Sequence, residues 1–471
     1  MLRQAMGLAL AAAVLTPGLP AAATEATGAT ILFDVSRTAQ RVAGFGANIW
    51  PGDLTVEGMF RSLRLNHARL WLGLPPDPAP RAAATRDEFD RWWATYPGAE
   101  PLRATAALAR RLRLRVILCI GNPPVAWLGE GRRLKPEYHT AFARLWGAAV
   151  HHCASLGLRP PYLELYNEPD GDWNIHVPPA ENGELVKRVR AELDDRGYRD
   201  VGTVGPGTAH IDWGPEGERW VNALDEEAVQ ALAAWSIHAW EWGLPAINAE
   251  GGQTYVRQVW PHFEASLRRK DPRRRLPLLI TEYATKATCF HGVEYPSPDG
   301  GRKELAASDT VPYAVRVYEN TLSLLNGGAN AAILWEAADQ EWSNHEWGLL
   351  RRPSRGSTPR PVLHALQTLL PWIPAGARVV PALRQCDAPY AAAFVKDQRL
   401  VVALANGTHR EVTAVVGLRH ARRPRLQRAL PFPRPAAGTH LAWHQPLAGT
   451  TRVTLPPDST LTLLYHLQEG N

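Results

Sequence analysis

The sequence predicts an α/β fold, a (β/α)8 TIM barrel followed by a C-terminal all-β sandwich domain. Three observations carry this reading. Eight short, near-continuous apolar runs recur along the chain, and several are followed by segments with helical periodicity. The texture changes after Trp372 to short alternating strands separated by turn residues. One further β-type run, Thr30–Val35, precedes the barrel without a partner in it and is expected to join the sandwich.

The first segment reads as a secretory signal. Arg3 supplies a positive start, Met6 to Leu15 an apolar stretch, and Pro20-Ala21-Ala22-Ala23 a small-residue cleavage site. Residues 1–23 are therefore set aside, residues 24–40 carry the N-terminal strand, and a secreted or periplasmic address is expected. The barrel spans residues 41–373. Its candidate strands are Arg41–Asn48, Asn66–Gly73, Leu114–Gly121, Tyr162–Asn167, Val201–Pro206, Ala234–Ala239, Leu276–Glu282 and Ala331–Glu336. Helical patterns fill Tyr138–Leu156 and Gly183–Arg196, and Pro361–Trp372 reads as the closing helix. An open doubly wound sheet is the competing architecture, but no glycine-rich phosphate turn follows an early strand. Residues 374–471 form the sandwich, with strands at Tyr390–Val395, Leu400–Leu404, Glu411–Val416, His440–His444, Thr450–Leu455 and Thr460–Tyr465. The short, proline-limited passage from Trp372 to Arg378 predicts that it packs on the barrel rather than swinging on a linker.

Composition excludes several classes. With 45% hydrophobic and 21% charged residues the chain is neither disordered nor an internal membrane protein. The net charge of +6 comes largely from scattered arginines without a basic-aromatic tract, so no nucleic-acid partner is expected. Four cysteines cannot form a disulfide framework in 471 residues. Cys119 and Cys153 read as buried thiols, and nothing in the sequence supports a Cys289–Cys386 bridge. Tryptophan is the outlier, at 18 residues against 12 tyrosines and 9 phenylalanines.

In such a barrel, function gathers at the C-terminal ends of the strands. The fourth run ends Asn167-Glu168-Pro169, and the seventh ends Thr281-Glu282-Tyr283. Two carboxylates facing each other across a barrel mouth suit glycosidic hydrolysis. One, protonated, assists the leaving oxygen, and the other, ionised, attacks the anomeric carbon, at about 5–5.5 Å when configuration is retained.

Asn167-Glu168-Pro169 together with Glu282 resembles the clan A retaining glycoside hydrolases. Gly44-Phe45-Gly46-Ala47 is similar to family 30, and Leu163–Asp170 is closer to family 39. The resemblance covers nearly the whole chain beyond the signal. It implies a retaining glycosidase, with Glu168 as acid/base, Glu282 as nucleophile, and Asn167 on the 2-hydroxyl of the cleaved sugar. It also implies that Arg69 lies below the nucleophile, where a fixed cation would keep Glu282 ionised, and that Trp335 forms the floor of the sugar subsite.

His238 either orients the nucleophile or is a core histidine. Trp50, Trp127, Trp240, Trp242 and Trp342 follow strand ends, and each either lines a subsite or packs in the core. Glu241 and Glu336 are rival nucleophiles, ranked below Glu282. His151-His152-Cys153 points to different helix faces, so no metal or other cofactor is expected. The expected partner is a carbohydrate substrate, acted on by a monomer. The competing functions are a non-catalytic carbohydrate-binding protein on the same scaffold and a transglycosylase using the same residues.

Overall fold

The computed structural model describes residues 29–171, 173–209, 219–240, 255–285, 306–343, 346–386, 388–434, 443–447 and 449–468. The signal segment, Glu241, Trp242 and Cys289 lie outside the described residues. After β1 (Ala29–Asp34), eight parallel strands close into a barrel. They are β2 (Gly44–Ile49), β3 (His67–Leu72), β4 (Arg115–Ile120), β5 (Tyr162–Glu164), β6 (Gly202–Thr208), β7 (Leu232–His238), β8 (Leu278–Tyr283) and β9 (Ala331–Leu334). Closure comes from β9 pairing back onto β2, with Gly44 opposite Ala331. The fold class read in the sequence is the one the chain adopts.

Strand alternation builds the interior. Ile117, Val204, Ala234, Leu279, Ala331 and Ile333 fill the lumen as one apolar layer. The intervening positions, such as Leu118 and Ile280, join the larger core between strands and helices. Gly46 lets β2 and β3 approach, since a Cβ there would lie 2.5 Å from the His67 carbonyl oxygen.

The sandwich comprises two five-stranded sheets. The first runs β11 (Ala382–Arg384), β1, β14 (Val412–Arg419), β17 (Thr450–Leu455) and β16 (Trp443–Leu447); the second runs β10 (Arg378–Val380), β12 (Tyr390–Lys396), β13 (Arg399–Asn406), β18 (Ser459–His466) and β15 (Arg425–Phe432). β1 lies parallel to β14 and antiparallel to β11, so the N-terminal strand belongs to this domain. Three of these strands, β10, β11 and β15, were not expected from the sequence. The closing helix is shorter than expected, Pro361–Gln367, with a separate 3-10 turn at Leu370–Trp372.

Barrel and sandwich share one core. The helix Val311–Asn326, capped by the Thr310 hydroxyl on the Tyr313 N–H, lies between them. From it the Tyr318 hydroxyl meets Thr462 Oγ1 at 2.6 Å, Asn326 donates to the Ala391 carbonyl at 2.9 Å, and buried Arg316 donates to the Gly407 carbonyl. Tyr390, Phe394, Val401 and Phe432 continue the barrel's own apolar cluster. Removing the sandwich would expose this face, and contiguous apolar patches of that kind drive aggregation. Truncation after Trp372 is therefore expected to give insoluble barrel on expression, and a soluble, fully active truncation would contradict this packing.

Candidate active site

The site is organised around a buried charge. Arg69 comes from the middle of β3, flanked by Ala68 and Leu70, which face the helices. Alternation turns Arg69 and Trp71 inward, and Arg69 is fully buried. Its guanidinium spends every edge: Nε donates to Glu164 Oε2 at 2.6 Å, Nη1 to Asn48 Oδ1 and Glu282 Oε2 at 3.0 Å each, and Nη2 to Asn167 Oδ1 at 2.7 Å and Cys119 Sγ at 3.1 Å. The Trp71 ring covers it at 4.7 Å. Burial opposes its charge most strongly, yet Cys119, Glu164 and Glu282 outweigh that and push its pKa up.

Glu282 ends β8. A register irregularity between Ile280 and Tyr283 turns it into the barrel mouth, where it is 5% exposed. Its Oε1 accepts the Trp240 indole N–H at 2.9 Å, while Oε2 accepts from Arg69. Burial raises the pKa of Glu282 most, and Glu168 adds to the rise; His238, Arg69 and the Trp240 hydrogen bond oppose it. The net direction is upward. Arg69 pulls in the expected direction but does not carry the balance, because desolvation is the larger effect.

Glu168 stands beyond the end of β5, which closes at Glu164 and not at Asn167. Its backbone sits at φ 53°, a left-handed conformation that costs a non-glycine residue about 1–3 kcal/mol. The Glu168 N–H donating to the Gly207 carbonyl at 3.0 Å holds it there. Gly207, at φ 65°, makes room, since a Cβ would lie 2.9 Å from the Tyr166 carbonyl oxygen. The Glu168 carboxyl meets His238 Nδ1 at 2.8 Å through Oε1 and accepts the Trp173 indole N–H at 2.5 Å through Oε2.

His238, fully buried at the end of β7, thus contacts the opposite carboxylate from the one expected. It touches Glu168, and Glu282 Oε2 is farther away at 3.8 Å. Burial alone would lower its pKa, but Glu282 and Glu168 outweigh burial and raise it. Asn167 turns its carbonyl oxygen to Arg69 at 2.7 Å.

Of the tryptophans, Trp335 follows β9 and packs edge-on to Trp71 at 5.3 Å and to Trp50 at 5.5 Å. Trp50 stacks on Trp71 at 6.2 Å and meets Trp342 at 5.7 Å, the last ring being 70% exposed. Four indoles thus form one continuous aromatic wall. Trp127 does not belong to it. It is 1% exposed, stacks on Tyr138 at 5.3 Å and donates to the Pro80 carbonyl at 3.2 Å, so it is a core residue and no subsite. Glu336 is buried, and desolvation, then Asp339, Glu282 and Asp53, push its pKa well up.

Glu164, Asn48, Trp71 and Trp173 escaped the sequence reading. The first three carried a signal: each is polar or aromatic at an inward position of an otherwise apolar strand. Trp173 had none beyond its nearness to Glu168.

Among the described residues, Glu168, His238 and Glu282 each bring a ligand-capable atom to within 4.8 Å of the others. A cation could span that distance. However, N–H donors from Arg69, Trp240 and Trp173 already face the two carboxylates, and a dication would have to displace them beside a guanidinium. The donor set suits proton transfer better than metal binding. No helix among the described residues is long and apolar enough to cross a membrane.

Comparison by sequence finds no protein-family model and no curated relative that matches the chain. Solved structures do match. The glycoside hydrolase family 30 subfamily 8 xylanase from Clostridium acetobutylicum aligns with 93% of this chain and 99% of its own, at 17% identity and a TM-score of 0.65. The family 30 endoxylanase from Clostridium papyrosolvens covers 93% and 100% at 18% identity and a TM-score of 0.64. The family 51 arabinofuranosidase from Xanthomonas axonopodis pv. citri covers 93% and 100% at 13% identity and a TM-score of 0.64. At these identities the likeness is one of fold. The resemblance read in Asn167-Glu168-Pro169 and Glu282 is met at that level: the chain has the barrel-plus-sandwich architecture of clan A glycoside hydrolases, family 30 among them.

Proposed function

We propose that the protein is a secreted retaining glycosidase that cleaves β-glycosidic bonds of a polysaccharide or its oligosaccharides by double displacement. One observation carries the reading. Two carboxyl groups at the barrel mouth bring oxygens within 4.8 Å of one another, and one of them, Glu282, is bound by the Arg69 guanidinium. That spacing leaves no room for a water between carboxylate and sugar, whereas inversion needs about 6.5–9.5 Å.

In the first step a Glu282 oxygen attacks the anomeric carbon while Glu168 gives its proton to the departing glycosidic oxygen. The electrons of the broken C–O bond go to that oxygen, and a glycosyl ester forms on Glu282. In the second step Glu168, now a carboxylate, takes a proton from water as the water attacks the same carbon, and Glu282 leaves as the carboxylate. Arg69 and the Trp240 N–H stabilise the charge that returns to Glu282. The Asn167 amide is placed to donate to a sugar hydroxyl, and Trp335 offers an indole face beside the reacting sugar.

The fold neighbours act on xylan in some cases and arabinofuranosides in others, so the sugar is left to experiment. A hydrolysis screen over xylans, β-glucans, mannans, galactans and aryl glycosides tests the activity. Binding without new reducing ends would favour a carbohydrate-binding protein instead. Product analysis at high acceptor concentration separates hydrolysis from transglycosylation.

Three outcomes are expected. Proton NMR of the first-formed product should show the retained anomer, and early inverted anomer would refute the pairing. Glu282→Ala should abolish turnover on all substrates. Glu168→Ala should spare nitrophenyl glycosides in the first step, lose about 10²–10⁴-fold on poor leaving groups, and recover with azide; if Glu282→Ala stays active while Glu336→Ala does not, the nucleophile is misassigned. The third concerns pH. Glu282 must be ionised to attack, and its pKa is raised above the ordinary 4.5. The acidic limb of kcat/KM should therefore fall above pH 4.5, with activity lost as pH drops through it; a limb at or below that value would contradict the burial argument.

A further inference from the structure

Positive charge is concentrated in one part of the sandwich. From Arg419 to Arg434 the chain carries six arginines (Arg419, Arg422, Arg423, Arg425, Arg428 and Arg434) and no aspartate or glutamate, a charge equal to the net +6 of the whole chain. They occupy the end of β14, the loop that crosses to the second sheet, the edge strand β15 and the residues just after it, and all six are exposed. Elsewhere exposed arginines find carboxylates, as Arg61 does with Glu57 and Arg159 with Asp200. None of the six forms an ion pair among the described residues. Asp34, beside the same loop, gives its carboxylate to Ser36 and His420.

The register carries the patch inward from the edge. Lys396 lies opposite Arg399, Arg399 opposite His466, and His466 opposite Arg425, so four neighbouring strands bring basic side chains to one row on one face. Like charges directly opposite one another weaken a sheet. Asp397, in the turn between Lys396 and Arg399, is exposed and forms no ion pair with them. In the crossing loop His420 at φ 55° and Arg423 at φ 39° adopt left-handed conformations that favour glycine. Protection of an edge strand is the ordinary reason for charge there. It asks for charge on β15 alone, of either sign, and leaves the crossing loop and Arg399 on the interior strand β13 unexplained.

We propose that this face of the sandwich is a docking surface for an acidic polysaccharide, whose carboxylates are bound by the unpaired guanidinium groups. A guanidinium presents parallel N–H groups that match a carboxylate. Many such groups spread along a loop and a strand suit a repeating polymer better than one small anion. A membrane surface fits less well, because basic elements that lie on lipid also present large apolar side chains. The exposed ones here are Leu54, Val125, Trp173, Trp342 and Leu383, none of them in the patch. Single-stranded nucleic acid calls for open aromatic rings, whereas Trp372, the ring beside the patch, lies under Arg428 at 5.5 Å. Trp372 follows the closing helix, which runs back from the C-terminal ends of the barrel strands, so the surface is separate from the mouth. It would hold the polymer and not the bond that is cleaved. The choice of a glycan among polyanions rests on the glycosidase reading.

The test is binding of the full-length protein to polygalacturonate, a chain of carboxylate-bearing sugars, by biolayer interferometry at about 0.1 M salt. Arg422→Ser, Arg423→Ser and Arg425→Ser combined should weaken binding about tenfold, each exposed pair contributing a factor of about two. Lysine at the same three positions keeps the charge, loses the paired N–H groups and should still bind less tightly than the parent. Removing three exposed arginines elsewhere, Arg81, Arg113 and Arg273, should change binding by less than about twofold, since salt screens distant charges. Hydrolysis of aryl glycosides should be the same in all these variants. The docking surface is overturned by absence of binding to polygalacturonate, by an equal loss in the distant set, or by lysine variants that bind as the parent does. Tighter binding to duplex DNA or to phosphatidylserine vesicles than to polygalacturonate overturns the choice of occupant. If polygalacturonate binds through these arginines while no glycoside is turned over, the docking surface stands and the glycosidase reading fails; turnover without such binding gives the reverse.

Discussion

A guanidinium with no water around it has to be answered by the protein, and in this barrel the answer is the active site. An unpaired charge at the depth of Arg69 would cost several kcal/mol even after relaxation. Five side chains from four other strands or their ends converge to remove that penalty: Asn48 of β2, Cys119 of β4, Glu164 and Asn167 of the β5 region, and Glu282 of β8. The two carboxylates among them do unequal work. Glu164 is completely enclosed and also accepts the Thr281 hydroxyl at 2.6 Å, so both of its oxygens are used inside the protein. Glu282 shares the cation with it, keeps a second oxygen on Trp240, and stands at the mouth. Arg69 thus stands between two carboxyl groups, of which Glu282 is the one that reaches the mouth.

His238 lies between the two candidate catalytic carboxyls, nearer to Glu168, and both carboxyls raise its pKa against burial. Glu282 is itself shifted upward by burial, while its oxygens face Arg69 and Trp240. The scaffold enforces this arrangement over long sequence distances. The helix Val311–Asn326, which joins barrel and sandwich, also donates from Asn320 to the carbonyls of Ala239 and Ala284, each next to the ends of β7 and β8. The sandwich therefore buttresses the two strands that deliver His238 and Glu282.

Much of this was legible in the residues. Arg69 and Glu282 stand out because a charged residue in an apolar strand must be paired, and for Arg69 alternation says which way it points. Glu164 carried the same signal immediately before Leu165-Tyr166-Asn167, but attention to strand ends passes over a charge buried within one. Trp127 was misplaced because distance from a strand end does not say which way a loop folds; a 3-10 turn tucks it under Phe89 and Tyr138. The strand Arg425–Phe432 was hidden by arginines on its exposed side and by Pro431, which an edge strand tolerates and a central one does not. β10 and β11 have three residues each, too few for a period to show. The contact of His238 with Glu168 depends on a register irregularity between Ile237 and His238, and no pattern in the chain announces it.

The excess of tryptophan acquires a physical reason in this setting. Trp93, Trp146 and Trp235 fill the core by volume. Trp50, Trp71, Trp335 and Trp342 form an aromatic wall, which suits the C–H faces of a sugar. Trp240 and Trp173 serve a third purpose, because indole is a donor that can never accept. Each gives its N–H to one of the two facing carboxyls, and neither can take a proton from it. The difference lies in burial: Trp240 is 6% exposed and Trp173 is 50% exposed.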